Sequence, residues 1–267
     1  MIALPWLKTL RQNPIYQRER GGWGNPNRYY ANLSRYSPFI VLAVIVLGVC
    51  AGFNPGLIAG IDNNDALTAV WVLLCLPGIL LTMLTLYSSF MAPALTAPLI
   101  STERAHQTWD VLRATPYSLN TILLAKLFGA LSRLRIWPVL FALTLFQGFT
   151  LFCLLTFLGG ELAVYGWLAG LMTLLRPWLE ILFAAFAGMF FSIIVRSATT
   201  ALVGAYTAVV LFKLFNSNTV WLVMANYVEA DGFLFIISLI GPALVYGTAV
   251  ILLWLGIVRQ ARKLADE

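Results

Sequence analysis

Charged residues are scarce in this sequence. Asp, Glu, Lys and Arg make up 10% of its 267 residues, whereas hydrophobic residues make up 60%. Soluble domains average about 25% charged residues and about 45–50% apolar residues. The composition therefore excludes an ordinary soluble protein and indicates that lipid is the solvent. In lipid the backbone must satisfy its own hydrogen bonds, and long unbroken apolar runs favour helices over the alternating strands of a barrel.

Residues that build catalytic and metal sites are also few. His106 is the single histidine, which excludes a histidine dyad or a histidine-based metal site, and we expect it at the surface. Cys50, Cys75 and Cys153 each lie inside an apolar run, where we expect small hydrophobic core residues and no disulfide framework or metal cluster. The apolar runs contain no paired acids and no Ser–Lys pair, so we expect no catalytic residue and no cofactor on this chain.

Six apolar stretches are long enough to cross a membrane, because about 20 residues span roughly 30 Å of hydrocarbon. The predicted fold is all-α, a polytopic membrane protein with six transmembrane helices. We expect one membrane domain, residues 38–258, between an N-terminal segment of residues 1–37 and a tail of residues 259–267. The predicted spans are residues 38–57, 67–90, 136–158, 177–195, 198–215 and 233–258. Only Arg196 and Ser197 separate the fourth and fifth spans, which predicts a tight helical hairpin.

The distribution of basic residues predicts the orientation. Fifteen of the seventeen Lys and Arg residues lie in the two terminal segments, the second-to-third loop and the hairpin corner. Cytoplasmic loops carry this excess of positive charge, so both termini are predicted in the cytoplasm of a multi-pass protein of the cell (inner) membrane. The charge thus reports topology, and no nucleic-acid partner is expected. The opposite loops carry the acids Asp62, Asp65, Glu161, Glu229 and Asp231.

The N-terminal segment mixes basic and aromatic residues. This pattern is typical of an interfacial elbow, whose cations face anionic lipid headgroups while its rings lie at the boundary. The content of Gly and Pro excludes one long helix there. The ring-bearing and apolar residues of this prediction are Trp6, Leu7, Leu10, Trp23, Tyr29 and Tyr30.

The loop between the second and third predicted spans, residues 99–135, is predicted to contain two helices. An amphipathic helix is predicted to begin near Ser101 or Thr102, with Glu103 in its first turn, where the helix dipole favours a carboxylate. Pro116 is predicted to end it. Ser118 is then predicted to cap a second helix that leads into the third span. Its apolar positions at helical spacing are Leu119, Ile122, Leu123, Leu127 and Leu131.

This loop also resembles a known family. Ile-Ser-Thr-Glu-Arg (100–104), Thr-Trp-Asp-Val-Leu (108–112), Ala-Thr-Pro (114–116) and Ile-Leu-Leu-Ala-Lys (122–126) are similar to the coupling segment of ABC transporter permeases of the second exporter type. Asn-Pro-Ile-Tyr-Gln-Arg-Glu (13–19) resembles the start of many such permeases. His106 and Gln107 depart from the family pattern at the centre of the first helix.

The resemblance implies a partner. A cytoplasmic coupling helix would dock into a groove of a separate ATP-binding-cassette ATPase subunit, which alone would bind ATP and Mg and carry the ATPase activity. The sequence agrees, since it contains no Gly-x-x-x-x-Gly-Lys-Ser/Thr motif. The resemblance also implies a second permease subunit, in a homodimer or a heterodimer. The implied partner-binding residues are Glu103, Arg104, Thr108, Trp109, Asp110, Leu112 and Pro116.

Two readings of this helix remain open from the residues alone. Trp109 and Leu112 are three residues apart and share a helix face, so they can fill a groove. The alternative is a solvated surface helix with an internal ion pair. Lys126 likewise either contacts the partner or extends to lipid headgroups.

The predicted function is a permease subunit that moves a hydrophobic or amphipathic substrate, since the spans are apolar. The alternative is a non-transporting scaffold or accessory subunit of a larger bioenergetic or assembly complex, because no hydrophilic pathway is evident in the sequence. Copurification of an ATPase subunit would separate these hypotheses.

Glu180 is the only acid well inside a predicted span, which makes it a candidate functional residue. Arg176 lies four residues earlier and can reach it on the same helix face. Because the predicted span begins at residue 177, we expect a salt bridge at the outer membrane surface, with a substrate or proton site as the alternative. Lys213 is expected to extend to the outer headgroups.

Overall fold

The computed structural model of the chain describes residues 12–21, 28–52, 75–157, 161–217, 221 and 232–266. These residues are almost entirely helical, and none of them lies in a strand. The helices are α1 (Pro14–Arg20), α2 (Arg28–Gly52), α3 (Leu76–Thr96), α4 (Pro98–Ala105), α5 (Trp109–Arg113), α6 (Leu119–Leu131), α7 (Trp137–Phe157), α8 (Glu161–Ile194), α9 (Ala198–Phe215) and α10 (Gly232–Asp266).

Five of the described helical segments are long and apolar enough to cross a membrane. The architecture is thus that expected of a multi-pass helical membrane protein. The apolar part of α2 is shorter, Pro38–Leu47, and residues 53–74, which include the predicted end of the first span and start of the second, lie outside the described residues. The sixth span and the orientation stay predictions. The five segments are Leu76–Ala105, Trp137–Leu154, Gly166–Ile194, Ala198–Phe215 and Ile240–Leu264.

Helix α8 is the centre of the bundle. It packs against α3, α7, α9 and α10, and its apolar segment is the most buried of the five. The small residues Ala184, Gly188 and Ser192 form a ridge that lies inside this chain, where it allows the helices to approach closely. A Cβ atom at Gly188 would lie 3.0 Å from Pro93 Cα, so the backbones of α3 and α8 are nearly in contact there.

Helices α7 and α9 cover different halves of α8. Trp137, at the start of α7, stacks on Trp178 with ring centroids 5.7 Å apart, and α7 then runs antiparallel to the N-terminal half of α8. From the corner at Arg196 and Ser197, α9 runs back along the C-terminal half, until Lys213 near its end contacts Glu180. The level of Glu180 therefore marks the point where α7 begins and α9 ends.

Several predicted boundaries hold and others need correction. The hairpin is confirmed, since α9 spans Ala198–Phe215 as predicted, and α7 matches the third span to within a residue at each end. By contrast, α3 continues past the predicted end at residue 90 to Thr96, and α2 begins at Arg28, inside the segment predicted as the elbow.

The largest error concerns the fourth span. The sequence predicts that it begins at Pro177, but α8 begins at Glu161 and contains Pro177 in its interior. A proline removes one backbone donor and is common at the start of a helix. In a packed membrane helix, however, neighbouring helices tolerate such a proline, and the apolar run before it continues the span.

Candidate functional site

The segment after α3 forms two helices where one was predicted. Helix α4 begins at Pro98, directly after a turn at Ala97, so neither Ser101 nor Thr102 caps it. It ends at Ala105 because the backbone of Gln107 adopts a left-handed conformation with φ of 57°. Helix α5 follows and ends before Pro116, as predicted. The prediction of a single helix up to Pro116 is therefore wrong.

The carboxylate of Glu103 bridges this break and is the centre of a group of buried charges. Glu103 Oε1 accepts a hydrogen bond from Lys126 Nζ at 2.9 Å and lies 3.4 Å from Arg18 Nη2. Its Oε2 accepts a hydrogen bond from the hydroxyl of Thr108, just beyond the break. The Thr108 amide donates to the Glu103 carbonyl at 2.9 Å. Glu103 thus connects the two short helices to the rest of the chain.

Lys126 is the most enclosed member of this group, with 1% of its side chain exposed. Its Nζ also donates to Glu19 Oε1 at 2.9 Å and to the Leu99 carbonyl at 3.3 Å. We call Arg18, Glu19, Glu103 and Lys126 the buried charge cluster. Its two acids and two bases balance; Lys126, Glu103 and Glu19 are largely buried, whereas the Arg18 side chain is 56% exposed at the edge of the cluster. The sequence predicted that Lys126 contacts either lipid headgroups or a partner protein. In the structure, its described contacts lie inside the chain.

The cluster joins α1, α4 and α6. Asn13 caps α1 by accepting a hydrogen bond from the Ile15 amide at 2.9 Å, and Gly21 ends the helix with φ of 90°. Gly129 lets α1 lie directly on α6, since a Cβ atom there would lie 3.0 Å from the Tyr16 carbonyl oxygen. Ser118 caps α6, as predicted, by accepting from the Thr121 amide at 3.4 Å.

The same assembly is attached to the end of α8. Ser192 Oγ accepts hydrogen bonds from the amides of Ile100 and Ser101, both at 2.9 Å. These amides lie in the first turn of α4, where the helix itself supplies no acceptor. Arg104 Nη1 donates to the Ile193 carbonyl at 2.7 Å, among the carbonyls that end α8. Any displacement of α4 would therefore be transmitted to the C-terminal end of α8.

Trp109 and Leu112 are placed differently from the prediction. Both side chains are buried within this chain, and Trp109 is 5% exposed. They attach α5 to the bundle and cannot at the same time fill a groove on another protein. The prediction of a Trp109 and Leu112 docking face is therefore wrong, because periodicity showed that they share a face but not what that face covers.

The opposite side of the segment is exposed. Val111 is the most exposed large hydrophobic residue there, at 69%, and Asp110 beside it forms a 3.6 Å ion pair with Arg113. We call this surface the 105–117 patch. It consists of Ala105, His106, Gln107, Asp110, Val111, Ala114, Pro116 and Tyr117.

A second charged group lies far from the first. Glu180 Oε1 accepts from Arg176 Nε at 2.9 Å, and Glu180 Oε2 accepts from Lys213 Nζ at 2.8 Å. We call these three residues the central triad. Glu180 is the middle residue of the apolar segment Gly166–Ile194, about 21 Å from each end at 1.5 Å per residue. The predicted Arg176–Glu180 pair is therefore present, but it lies inside a long helix and not at a helix end, because α8 extends well beyond Arg176. Its place at the outer membrane surface stays a prediction.

Lys213 was not included in the predicted charged site. The structure pairs it with Glu180, whereas the sequence suggested that it reaches for headgroups. The spacing of residues in the predicted hairpin could have indicated this pairing. Glu180 and Lys213 lie at equal distances along the chain from the corner at Arg196 and Ser197, so antiparallel packing brings them to the same level.

Other predicted features are partly or wholly outside the described residues. Trp6, Leu7, Leu10 and Trp23 lie there, as do the side chains of Tyr29 and Tyr30. Among the described residues, no three His, Cys, Asp or Glu side chains are grouped closely enough to hold a metal ion.

Comparisons of the chain with protein-family models, with curated proteins and with solved structures found no match. The resemblance to exporter permeases therefore depends on the residues quoted from this sequence. What the structure adds is the position of those residues relative to one another.

Proposed function

We propose that this chain is the membrane-spanning permease subunit of an ABC transporter that moves a hydrophobic or amphipathic substrate. ATP would be bound and hydrolysed by a separate subunit, in an assembly with a second permease subunit. One observation carries the proposal. Three segments that resemble permease motifs, distant in sequence, meet at the buried charge cluster through Glu19, Glu103 and Lys126.

Buried ion pairs are costly, which is why their position is informative. Removing charges from water costs several kcal/mol per ion, and apolar side chains of similar size would often be as stable or more stable. A hydrogen-bonded, balanced cluster at the end of a membrane bundle is therefore better explained by a need for fixed geometry. Here it fixes α4 relative to α1 and α6, as a coupling element requires.

The contacts of α4 suggest how movement would reach the spans. A force on the 105–117 patch would act on α4 and α5, which the cluster and the buried Trp109 hold as one unit. The bonds of Ser192 and Arg104 would pass that force to α8. Because α8 packs against α3, α7, α9 and α10, its movement would rearrange much of the described bundle.

The 105–117 patch is the part of this segment that is available to an ATPase subunit. It presents an exposed apolar residue, Val111, beside the charged Asp110, on a surface whose inner side is anchored. His106 and Gln107, which depart from the family pattern, lie on this patch and would adapt it to a particular partner.

The test is retention of an ATPase subunit by the chain purified from its native membrane. Val111→Asp should weaken retention at least about tenfold, equivalent to about 1.4 kcal/mol, because it places a charge in the contact. Arg262→Asp is the matched control, since Arg262 is exposed on α10 outside the patch. The chain should remain folded in both variants.

Two outcomes would count against the proposal. Equal retention in both variants would remove the 105–117 patch from the contact. If no ATPase subunit accompanies even the unmodified chain at low salt, the scaffold function would be favoured.

A further inference from the structure

The break between α4 and α5 has no cause in the local sequence. Residues 105–108 are Ala-His-Gln-Thr and include neither glycine nor proline, the usual residues at a helix stop. The hydrogen bonds of a helix stop are nevertheless present. The Gln107 amide donates to the Arg104 carbonyl at 3.3 Å, and the Thr108 amide donates to the Glu103 carbonyl at 2.9 Å. At the left-handed position of this motif, where glycine is most common, the chain has Gln107 with φ of 57°.

Gln107 is the residue at this break whose backbone is far from helical geometry. His106 has φ of −92° and ψ of 2°, and Thr108 has φ of −93° and ψ of −4°. Both are close to the right-handed helical region, whereas a left-handed backbone is unfavourable for residues other than glycine. A change centred on residue 107 would therefore join α4 and α5 into one helix over residues 98–113.

The break decides whether Trp109 and Leu112 are covered. They lie four and seven residues after Ala105, which is exposed at the end of α4. Residues at these spacings share a face of a continuous helix. On such a helix both side chains would be exposed beside Ala105, but in the structure both are buried.

Asp110 differs from the continuous helix in the opposite sense. It lies seven residues after the buried Glu103 and would share its inward face on a continuous helix, yet Asp110 is exposed. The left-handed turn at Gln107 therefore exchanges the buried and exposed faces of α5. The part of the 105–117 patch that lies on α5 is exposed because of this turn.

Opposing contributions act on the break. The broken form buries Trp109 and Leu112 and connects Glu103 to the hydroxyl of Thr108. Two features disfavour it: the left-handed backbone of Gln107, and the indole N–H of Trp109, which is buried without an acceptor among the described residues. A left-handed residue and a buried unpaired donor each cost a free energy similar to the gain from burying one apolar side chain. The broken and continuous forms are thus close in free energy.

We propose that Gln107 is a two-state hinge that controls whether the 105–117 patch is presented. In the broken form the patch is exposed. In the continuous form residues 98–113 make one helix, Trp109 and Leu112 leave the bundle, and Asp110 turns inward. The inference rests on the proposed function only in naming an ATPase subunit as the partner of the patch; the exchange itself requires this chain alone.

The test varies the backbone preference of residue 107. Gln107→Gly favours the left-handed backbone and the broken form, whereas Gln107→Val disfavours both, because a β-branched residue is rarely left-handed. Each is combined with Asp110→Cys or Leu112→Cys in the full chain, with its three natural cysteines replaced by alanine. The measurement is the rate of maleimide labelling in detergent at high salt.

The ratio of the two labelling rates reports the exposed face. With Gln107→Gly, Asp110→Cys should react at least about tenfold faster than Leu112→Cys, because the first position is exposed and the second is buried. With Gln107→Val this ratio should fall at least about fivefold, the smallest change expected from the cost of a left-handed residue. The chain with Gln107 should lie between them.

A distance measurement keeps the test independent of the cysteine at residue 112. In the broken form the Arg113 side chain donates to the Leu264 carbonyl at 3.5 Å, so α5 ends beside the end of α10. Spin labels at Ala114→Cys and Arg262→Cys should therefore be close with Gln107→Gly. With Gln107→Val the distance should lengthen by about 5 Å or more, because the six residues after the hinge form about 9 Å of helix.

Three results would overturn the inference. Equal rate ratios in Gln107→Gly and Gln107→Val would show that residue 107 does not select the exposed face. Faster labelling at both positions in Gln107→Val would mean that the segment unfolds locally and forms no continuous helix. An unchanged distance between the spin labels would leave α5 in place. These measurements need no ATPase subunit, so their failure is distinguishable from a failure of ATPase retention.

Discussion

The two charged groups of this protein differ in the enclosure of their lysines and in position. The buried charge cluster has two acids and two bases, encloses its lysine almost completely, and joins three helices at the C-terminal end of α8. The central triad has one acid for two bases, leaves the bases partly exposed, and lies halfway along α8. A lysine that is almost fully enclosed and contacts two acids is suited to holding helices together, whereas the partly exposed Lys213 contacts one acid and contributes less.

The largest predicted effect is the loss of the cluster's lysine. Lys126→Ala removes the cation that contacts both Glu19 and Glu103, and leaves two largely buried carboxylates with only the exposed Arg18 as a compensating charge. Breaking a buried pair in this way costs about 3–5 kcal/mol. The measurement is the free energy of unfolding of the chain in detergent micelles. Lys213→Ala should cost much less, because Lys213 is one-third exposed. Similar losses in the two variants would erase the proposed difference between the groups.

The substitution Gly129→Ala changes no charge, so it tests the contribution of helix packing to stability apart from that of the ion pairs. Gly129→Ala places a Cβ atom 2.7 Å from Glu19 Cβ, so α1 must move away from α6 and draw Glu19 from Lys126. Such overpacking typically costs about 1–3 kcal/mol.

The control for this prediction is Gly247→Ala on α10, where an added Cβ would meet no atom within 4 Å. Alanine favours a helix over glycine by about 1 kcal/mol, so this variant should be neutral or stabilised in thermal unfolding. If Gly129→Ala is equally well tolerated, α1 is not held by close contact with α6.

The smallest predicted effect on stability is neutralisation of the triad's acid. Glu180→Gln leaves Arg176 and Lys213 partly exposed and able to reach other acceptors, so we expect about 1 kcal/mol or less. Thermal unfolding of this variant beside Glu103→Gln compares the two groups directly. A larger loss for Glu180→Gln would show that the triad, and not the cluster, is the structural joint.

Local sequence patterns predicted much of the fold. The bounds of α7 and α9, the hairpin corner, the Ser118 cap and the end of α5 before Pro116 follow from apolar run length and from residues near each boundary. The errors arose where a local signal was overruled by its surroundings. Pro177, a residue type that favours the start of a helix, lies inside α8. The left-handed backbone at Gln107 separates α4 from α5, within a stretch for which the sequence predicts one helix.

The candidate site was predicted in its residues but not in its arrangement. Glu103 and Lys126 were both singled out, yet their contact and the third partner, Glu19, were not. Glu19 lies 107 residues before Lys126, and no periodicity within one helix reports on a pairing at that separation. The same reason applies to Trp109. Periodicity predicted which helix face it shares with Leu112, but not that this face packs against the chain's own bundle.

The sequence by itself determined that the surrounding solvent is lipid and that the secondary structure is helical. A chain with 60% hydrophobic residues in long runs must form helices in lipid, because the backbone has no water to bond with there. Tertiary structure alone decided which charges meet. Packing of α1 and α4 on α6 brought Glu19 and Glu103 to Lys126, and packing of α9 on α8 brought Lys213 to Glu180. Charge compensation depends on distances of a few ångströms between separate helices, and only their packing sets those distances.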